Sequence, residues 1–210
     1  MSLPRLKICG FTQIEQVRAA AAMPIDALGF IHHPKSPRHL EIAEIKALVR
    51  AAGPLQQRVG VFVDQPLADL IEIMRATGLG LAQLHGAEDL TYLKALDQAG
   101  IPWMKALRVK ESADLRAIET LKLNYVLLDA KSDRAAGGTG ESFDWSLAQE
   151  ANLKCKVILA GGLTPDNVEE AITQVNPYGL DLSSGVESAP GIKDFAKIAK
   201  LLQKLGRLPC

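Results

Sequence analysis

The chain has 210 residues, and its 24 lysines and arginines balance its 24 aspartates and glutamates, so its formal net charge is zero. With no excess of either sign, we expect neither nucleic acid nor a membrane surface as a partner, and an anionic ligand must be bound by local groups. The length predicts a single domain over residues 1–210. The lack of a long apolar run near Met1 predicts a cytoplasmic protein without a signal peptide or membrane span.

Apolar runs of strand length recur eight times, with helical patterns in most of the intervals. The predicted strands are Leu6–Cys9, Ala27–Ile31, Arg58–Val63, Leu81–His85, Trp103–Val109, Tyr125–Asp129, Lys156–Ala160 and Gly179–Ser183. The predicted helices start near Thr12, Glu41 and Pro66 and continue with Glu88–Ala99, Glu111–Thr120, Phe143–Glu150, Pro165–Gln174 and Ile192–Leu205. This alternation predicts a parallel sheet of the α/β class. Eight such units without an early GxGxxG turn favour a single (β/α)8 TIM barrel over an open, doubly wound sheet.

Two turns rich in small residues follow the seventh and eighth predicted strands, in Leu159–Thr164 (LAGGLT) and Tyr178–Glu187 (YGLDLSSGVE). Glycine allows the backbone to approach a ligand closely, and consecutive N–H groups near a helix start form an anion-binding concavity. Barrels of this fold often hold phosphate with the loops after these two strands. The pair therefore predicts a phosphate site, whereas either turn alone is also explained as a tight strand-to-helix connection.

Strand one ends at Cys9, which shares one face of the strand with Lys7, whereas Ile8 takes the other face. If Ile8 packs under the helices, the thiol points into the mouth of the barrel. Lys7 and the following helix start are expected to lower the pKa of this thiol, and a thiolate can remove a proton or attack carbon. The alternative is a small buried apolar side chain. Cys155 and Cys210 lack this setting and are interpreted as structural or incidental, and no disulfide framework is predicted.

Three further polar side chains stand where predicted strands end, at a point where an unpaired carboxylate is costly to bury. Asp129 closes strand six and is interpreted as a general acid in a partly apolar mouth or as a brace for the next loop. Asp181, at the end of strand eight, serves the same site or pairs with Lys7. His85, after strand four, contacts either the ligand or neighbouring backbone.

The loop after strand two, residues 32–39, is the most polar connection. Arg38 is a candidate for bidentate binding of a carboxylate or phosphate, with a solvated side chain as the alternative. The histidines His32, His33 and His39 are interrupted by two prolines, so no metal site is predicted. The glycine-rich stretch Ala135–Gly140 lacks the lysine of a Walker A loop and is interpreted as a lid or a linker.

Taken together, these segments resemble the phosphoribosylanthranilate isomerase family of tryptophan biosynthesis. They are Lys7-Ile-Cys-Gly10, Gly29-Phe-Ile31, Ser36-Pro-Arg38, Gln83-Leu-His-Gly86, Leu128-Asp129, Gly137-Gly-Thr-Gly140, Phe143-Asp-Trp145, Ala160-Gly-Gly-Leu163 and Asp181-Leu-Ser-Ser-Gly-Val-Glu187. The segments follow the family order and span residues 7 to 187, which is nearly the whole chain. The Gly-Gly turn alone is shared with many phosphosugar barrels, whereas the combination is specific.

The resemblance implies an isomerase that converts N-(5-phosphoribosyl)anthranilate to 1-(2-carboxyphenylamino)-1-deoxyribulose 5-phosphate by an Amadori rearrangement. It implies Cys9 as the general base, Asp129 as the general acid and Arg38 as the group that holds the anthranilate carboxylate. The other implied site residues are His85 and Asp181 as substrate contacts and the backbone of Gly161, Gly162, Ser183, Ser184 and Gly185 as the phosphate site. No cofactor or metal is implied, because the substrate's own nitrogen forms the Schiff base. The expected assembly is a monomer or a homodimer.

One departure and three rival hypotheses accompany this resemblance. The family usually has aromatic or apolar residues where His32 and His33 stand, so the loop that frames the anthranilate is more polar here. The first rival is a Schiff-base aldolase with Lys7 or Lys105 as nucleophile. The second is the related isomerase of histidine biosynthesis, whose substrate carries two phosphates and calls for paired aspartates. The third is a barrel that binds a phosphorylated ligand without catalysis.

Overall fold

The structure is a computed structural model that describes residues 3–129 and 145–209. Eight parallel strands close into one barrel in chain order, and β8 pairs with β1. The strands are β1 (Arg5–Cys9), β2 (Ala27–Ile31), β3 (Gln57–Phe62), β4 (Leu81–Leu84), β5 (Trp103–Arg108), β6 (Tyr125–Asp129), β7 (Lys156–Ala160) and β8 (Gly179–Leu182). The predicted (β/α)8 TIM barrel is confirmed, and each strand boundary lies within one residue of its predicted position.

Helices connect the strands on the outside of the barrel. Those in the described ranges are α1 (Ile14–Ala21), α2 (Ile42–Ala51), α3 (Leu67–Thr77), α4 (Leu90–Gln98), α5 (Arg116–Thr120), α6 (Trp145–Asn152), α7 (Val168–Val175) and α8 (Phe195–Lys204). Two 3-10 turns, Ser112–Leu115 and Ser184–Val186, and an antiparallel hairpin of β9 (Glu187–Ala189) and β10 (Ile192–Lys193) complete the described elements. None of the helices described is long and apolar enough to cross a membrane.

Several helices begin later than predicted, and the largest consequence is at α8. This helix starts at Phe195 rather than at Ile192, because the Asp194 carboxylate accepts hydrogen bonds from the first helical N–H groups and so fixes the start. Gly191, at a φ of 79°, turns the chain before it. Ile192 and Lys193, which were assigned to the helix, therefore form the second strand of the hairpin, and the side chain of Lys193 is buried inside the protein.

Apolar side chains form two separate cores. The larger one lies between strands and helices and includes Ile8. Because successive strand residues face opposite sides, Lys7 and Cys9 on either side of Ile8 face the interior of the barrel. The smaller one fills the interior of the barrel with Met104, Ala106, Leu127 and Ala160. The polar ends of the strands lie above this apolar interior, at the carboxyl end of the barrel, where the site described below is found.

Candidate active site

Lys7 and Asp181 form a buried ion pair inside the barrel. They are opposite each other in the pairing of β1 with β8, and Lys7 Nζ lies 2.8 Å from Asp181 Oδ2. Both side chains are less than a tenth exposed, a degree of burial that charged side chains reach when they are paired. The structure thus shows the ion pair that was one of the two alternatives for Asp181. Its second oxygen, Oδ1, is buried and has no hydrogen-bond partner among the described residues.

Cys9 lies one step further along the inner face of β1, and Gly29 of the neighbouring strand makes room for it. A Cβ on Gly29 would lie 2.6 Å from Cys9 Sγ. Burial raises the pKa of the Cys9 thiol, Lys7 acts to lower it by a smaller amount, and Asp181 acts to raise it further. The predicted lowering of this pKa is therefore wrong in its net direction. The charge of Lys7 is shared with Asp181, and the surroundings favour the thiol over the thiolate.

Asp129 and His85 approach each other at the mouth of the barrel. Asp129 ends β6, His85 follows β4, and His85 Nε2 lies 3.4 Å from Asp129 Oδ2. Asp129 is also close enough to contribute to the raised pKa of Asp181, for which burial is the largest cause. Both aspartates thus lie near the carboxyl ends of their strands, Asp129 on β6 and Asp181 on β8. Its alternative role, as a brace for the following loop, concerns residues 130–144 and lies outside the described residues.

Some predicted features fall in the same range or at the end of the chain. The stretch Ala135–Gly140, the residues Phe143 and Asp144, and Cys210 all lie outside the described residues. Cys155 is described and is partly buried, with its Sγ 3.8 Å from the Ala151 carbonyl oxygen, in agreement with a structural role.

Arg38 reaches the mouth from the loop between β2 and α2. Its Nε and Nη2 groups donate to the two carboxylate oxygens of Glu187, with an Nε–Oε1 distance of 2.8 Å. The side chain passes over Gly10, where a Cβ would lie 2.5 Å from Arg38 Cδ, and Gly10 has a φ of 84°. Arg38 is 17 % exposed, so the alternative of a solvated side chain does not hold.

One histidine of the polar loop that carries Arg38 joins the two ends of that loop. His32 Nδ1 lies 2.8 Å from the Leu40 carbonyl oxygen, and its ring packs edge-on against Phe62 at 6.2 Å between centroids. The rings of His32 and His39 lie 5.3 Å apart. His32 therefore supports the loop from within by an aromatic contact and a hydrogen bond. No group of three metal-binding side chains occurs in residues 3–129 and 145–209.

The turns after β7 and β8 lie directly against each other. Gly161 and Gly162 have φ values of 82° and 68°, and a Cβ on Gly185 would collide with the Leu163 carbonyl oxygen. Within the described ranges, the N–H groups of Gly162, Ser184 and Gly185 donate no hydrogen bond to another backbone group. Such free, clustered N–H groups suit the binding of an anion.

Lys105 is fully engaged in a second buried ion pair. Its Nζ lies 2.9 Å from Glu88 Oε2 and also donates to the carbonyl oxygens of Leu84 and Gly86. Glu88, which was predicted to begin a helix, instead accepts hydrogen bonds from the N–H groups of Asp64 and Gly86 and so holds the turn after β4. A lysine this occupied is a poor nucleophile, which argues against the aldolase hypothesis at this position.

Three residues of the site were given no role by the sequence interpretation. Gln83 is 3 % exposed, and its Oε1 has no hydrogen-bond partner in the part of the chain that the structure describes. Glu187 and Lys193 form a buried ion pair next to Arg38. The pattern Gln83-Leu-His85 offered a signal for Gln83, because alternate strand residues share a face. No local pattern indicated that Lys193 belongs to the site, because its neighbours in the sequence predict a helix.

A family model described as N-(5'phosphoribosyl)anthranilate (PRA) isomerase matches residues 6–204 of the chain. The N-(5'-phosphoribosyl)anthranilate isomerase of Thiobacillus denitrificans is 45% identical over 204 residues, which cover 95% of this chain and 97% of that protein. The isomerase of Geobacter metallireducens is 42% identical over 200 residues, which cover 95% of this chain and 98% of that protein. The similarity therefore runs from β1 into α8 and includes every strand of the barrel.

Solved structures extend the similarity to three dimensions. The phosphoribosyl anthranilate isomerase of Thermotoga maritima superimposes with a TM-score of 0.87 at 33% identity, over 98% of this chain and 100% of that chain. A phosphoribosyl anthranilate isomerase in complex with reduced 1-(o-carboxyphenylamino)-1-deoxyribulose 5-phosphate gives a TM-score of 0.84 at 32% identity, over the same shares of the two chains. The fold and the sequence thus agree on one group of relatives.

Proposed function

The chain belongs to the N-(5'-phosphoribosyl)anthranilate isomerase family and converts phosphoribosylanthranilate to 1-(2-carboxyphenylamino)-1-deoxyribulose 5-phosphate in tryptophan biosynthesis, and we propose that Cys9 and Asp129 are the base and the acid of this reaction. The observation that carries the proposal is their position. β1 and β6, which are distant in the chain, bring the thiol and the carboxylate to the same end of one barrel, and Arg38 reaches that end from the loop after β2.

The first step of the proposed mechanism opens the furanose ring. Asp129 donates its proton to the ring oxygen, the bond between that oxygen and C1′ breaks, and the lone pair of the anthranilate nitrogen forms a protonated Schiff base. His85, 3.4 Å from the Asp129 carboxylate, lies close enough to interact with the carboxylate after it has lost the proton. The aldose has then become an open-chain iminium ion.

The second step moves the double bond. The Cys9 thiolate removes the C2′ proton, the C–H electron pair forms the C1′=C2′ bond, and the π electrons of the Schiff base return to nitrogen. The resulting enolamine tautomerises to the ketone. Burial raises the pKa of Cys9, and the cations Lys7 and Lys193 act in the opposite direction, so these two lysines support the thiolate form that accepts the proton. The order of the steps follows from the substrate, because the C2′ proton becomes acidic only when the iminium ion formed by ring opening can accept the C–H electron pair.

Binding of the rest of the substrate is assigned to three groups. The backbone of Gly161, Gly162, Ser183, Ser184 and Gly185 holds the phosphate. Arg38 holds the anthranilate carboxylate, and Asp181, with its unpartnered Oδ1, contacts the sugar. The relative crystallised in complex with reduced 1-(o-carboxyphenylamino)-1-deoxyribulose 5-phosphate supports a ligand of this kind. We also propose a single domain, a cytoplasmic location, and a monomer or homodimer as the assembly.

The test is to measure turnover of phosphoribosylanthranilate, through the loss of its fluorescence, in the variants Cys9→Ala and Asp129→Asn. Each is expected to lose at least about 10²-fold in kcat, as is typical for lost acid–base groups. Cys155→Ala is the matched control and should keep normal turnover, because this cysteine lies outside the site. Near-normal kcat in either site variant would remove that residue from the mechanism.

A further inference from the structure

Glu187 stands behind Arg38 and is surrounded only by donors. Its two oxygens accept from Arg38 Nε and Nη2, from Lys193 Nζ at 2.7 Å and from the Gly191 N–H at 3.2 Å. The carboxylate is 3 % exposed, and Lys193 is completely buried. A buried carboxylate with two cations and a backbone donor is fixed in position, because any rotation would leave at least one of these charges unpaired.

The hydrogen bonds use one edge of the Arg38 guanidinium. Nε and one hydrogen of Nη2 point to Glu187, whereas Nη1 has no hydrogen-bond partner in residues 3–129 and 145–209. A guanidinium can bind a second carboxylate through its opposite end, with Nη1 and the remaining hydrogen of Nη2 as parallel donors. A side chain with this much rotational freedom is an effective anion-binding group only when another contact has already oriented it.

Lys193 connects this arrangement to the strand that carries the thiol. Its Nζ donates to the carbonyl oxygen of Cys9 as well as to Glu187, and lies 5.6 Å from the centre of the Phe11 ring. Lys193 thereby links Glu187, which orients Arg38, to the backbone of Cys9. The hairpin of β9 and β10, which was not predicted, supplies both members of this link.

We propose that Glu187, supported by Lys193, is a positioning residue that holds Arg38 by its Nε edge so that its free end binds the substrate carboxylate. This inference rests on the proposed role of Arg38 and adds the origin of its orientation. Glu187 itself does not touch the substrate. Its effect should appear only with ligands that carry the anthranilate carboxylate.

The test is a binding cycle with two ligands, reduced 1-(o-carboxyphenylamino)-1-deoxyribulose 5-phosphate and the same compound without the carboxylate. Glu187→Gln presents an amide NH2 to a site made entirely of donors, so the clamp is broken while the side-chain shape is kept. We expect this variant to lose at least about tenfold in affinity for the carboxylated ligand and nothing for the other. Isothermal titration calorimetry gives the binding constant, and its stoichiometry gives the fraction of the protein that is competent to bind.

Two variants separate the failure of this inference from the failure of the proposed function. If Arg38→Ala binds the carboxylated ligand normally, the role of Arg38 is wrong and the inference fails with it. If Arg38→Ala loses affinity and Glu187→Gln does not, only the inference is overturned. Tighter binding by Glu187→Gln would also overturn it, because Glu187 would then compete with the substrate for Arg38.

Asp26→Asn is the matched control, since Asp26 is likewise held by two cations, Arg5 and Arg207, but at the opposite end of the barrel. It should leave the ratio of the two binding constants unchanged. Should Glu187→Gln fail to fold, Lys193→Met provides the second variant, because methionine fills a similar volume and removes one cation from Glu187. It should change the same ratio in the same direction, and an unchanged ratio would overturn the inference.

Discussion

At the carboxyl end of the barrel, Lys7 and Asp181 are 6% and 7% exposed and lie 2.8 Å apart, whereas at the amino end Arg5 pairs with Asp26 at 2.9 Å and remains 67% exposed. The two pairs share almost the same distance and differ mainly in their contact with water. Buried charges have lost hydration and depend on each other, while an exposed charge can return to solvent when its partner is removed.

Burial therefore distinguishes the ion pairs at the mouth of the barrel from the ion pair at the amino end. The mouth also contains the pairs Lys105–Glu88 and Lys193–Glu187, each with both side chains at 3% exposure or below. The amino end has an exposed aromatic group instead, in which Tyr125 and Tyr178 meet edge-on. Residues at the mouth are therefore more constrained by their partners than residues at the amino end.

The largest expected effect is at Lys7. Lys7→Met leaves Asp181 as an unpaired buried carboxylate, and the free energy of unfolding should fall by about 3–5 kcal/mol, measured by urea denaturation. The double variant Lys7→Met/Asp181→Leu removes both charges and should recover most of that loss while turnover stays low. A double variant as unstable as the single one would contradict the explanation by an unpaired charge. Arg5→Met, the exposed counterpart, should leave the urea midpoint nearly unchanged.

An intermediate effect, dependent on pH, is expected at Asp26. Burial acts to raise the pKa of Asp26, but the Leu6 N–H and the cations Arg5 and Arg207 hold it below its ordinary value of 3.8. A lowered carboxyl pKa stabilises the fold above 3.8, and this stabilisation is lost as the pH falls through the lower folded value. Asp26→Asn should thus be less stable than the parent at pH 7, and the difference should shrink below pH 3.8.

Urea denaturation at neutral and acidic pH measures this change. Glu72→Gln on the exposed face of α3 provides a surface control, and it should change the free energy of unfolding at neutral pH by no more than about 0.5 kcal/mol. A difference for Asp26→Asn that stays constant across this pH range would mean that the ionisation of Asp26 is not what stabilises the amino end.

The smallest effect is expected at Lys156, whose Nζ lies 5.2 Å from the Tyr125 ring centre and 5.4 Å from that of Tyr178. Exposed cation–π contacts contribute about 0.5–1 kcal/mol, so Lys156→Met should lower the free energy of unfolding by no more than that and leave turnover unchanged. Lys156→Arg keeps the cation and should match the parent. A loss of turnover in Lys156→Met would contradict the conclusion that the amino end of the barrel does not contribute to activity.

The strands and the identity of most site residues could be predicted because their signals are local. Apolar runs fix the strands, and polar residues such as Asp129 stand out where these runs end. The pKa of Cys9 could not be predicted in the same way, because its direction depends on burial and on Asp181, 172 positions further along the chain (181 − 9). Lys193 was assigned to a helix because the cap at Asp194 was not recognised as its boundary.

The pairing of β1 with β8 also has a consequence for how activity arises during synthesis. The thiol belongs to the first strand, whereas Asp181 and Lys193 belong to the last βα unit, and the Lys7–Asp181 contact joins residues 174 positions apart. A growing chain therefore carries Cys9 before it carries the strand that closes the barrel beside it. Closure of the barrel brings Asp181 beside Lys7, so we expect activity to appear only after the final strand has docked beside the first.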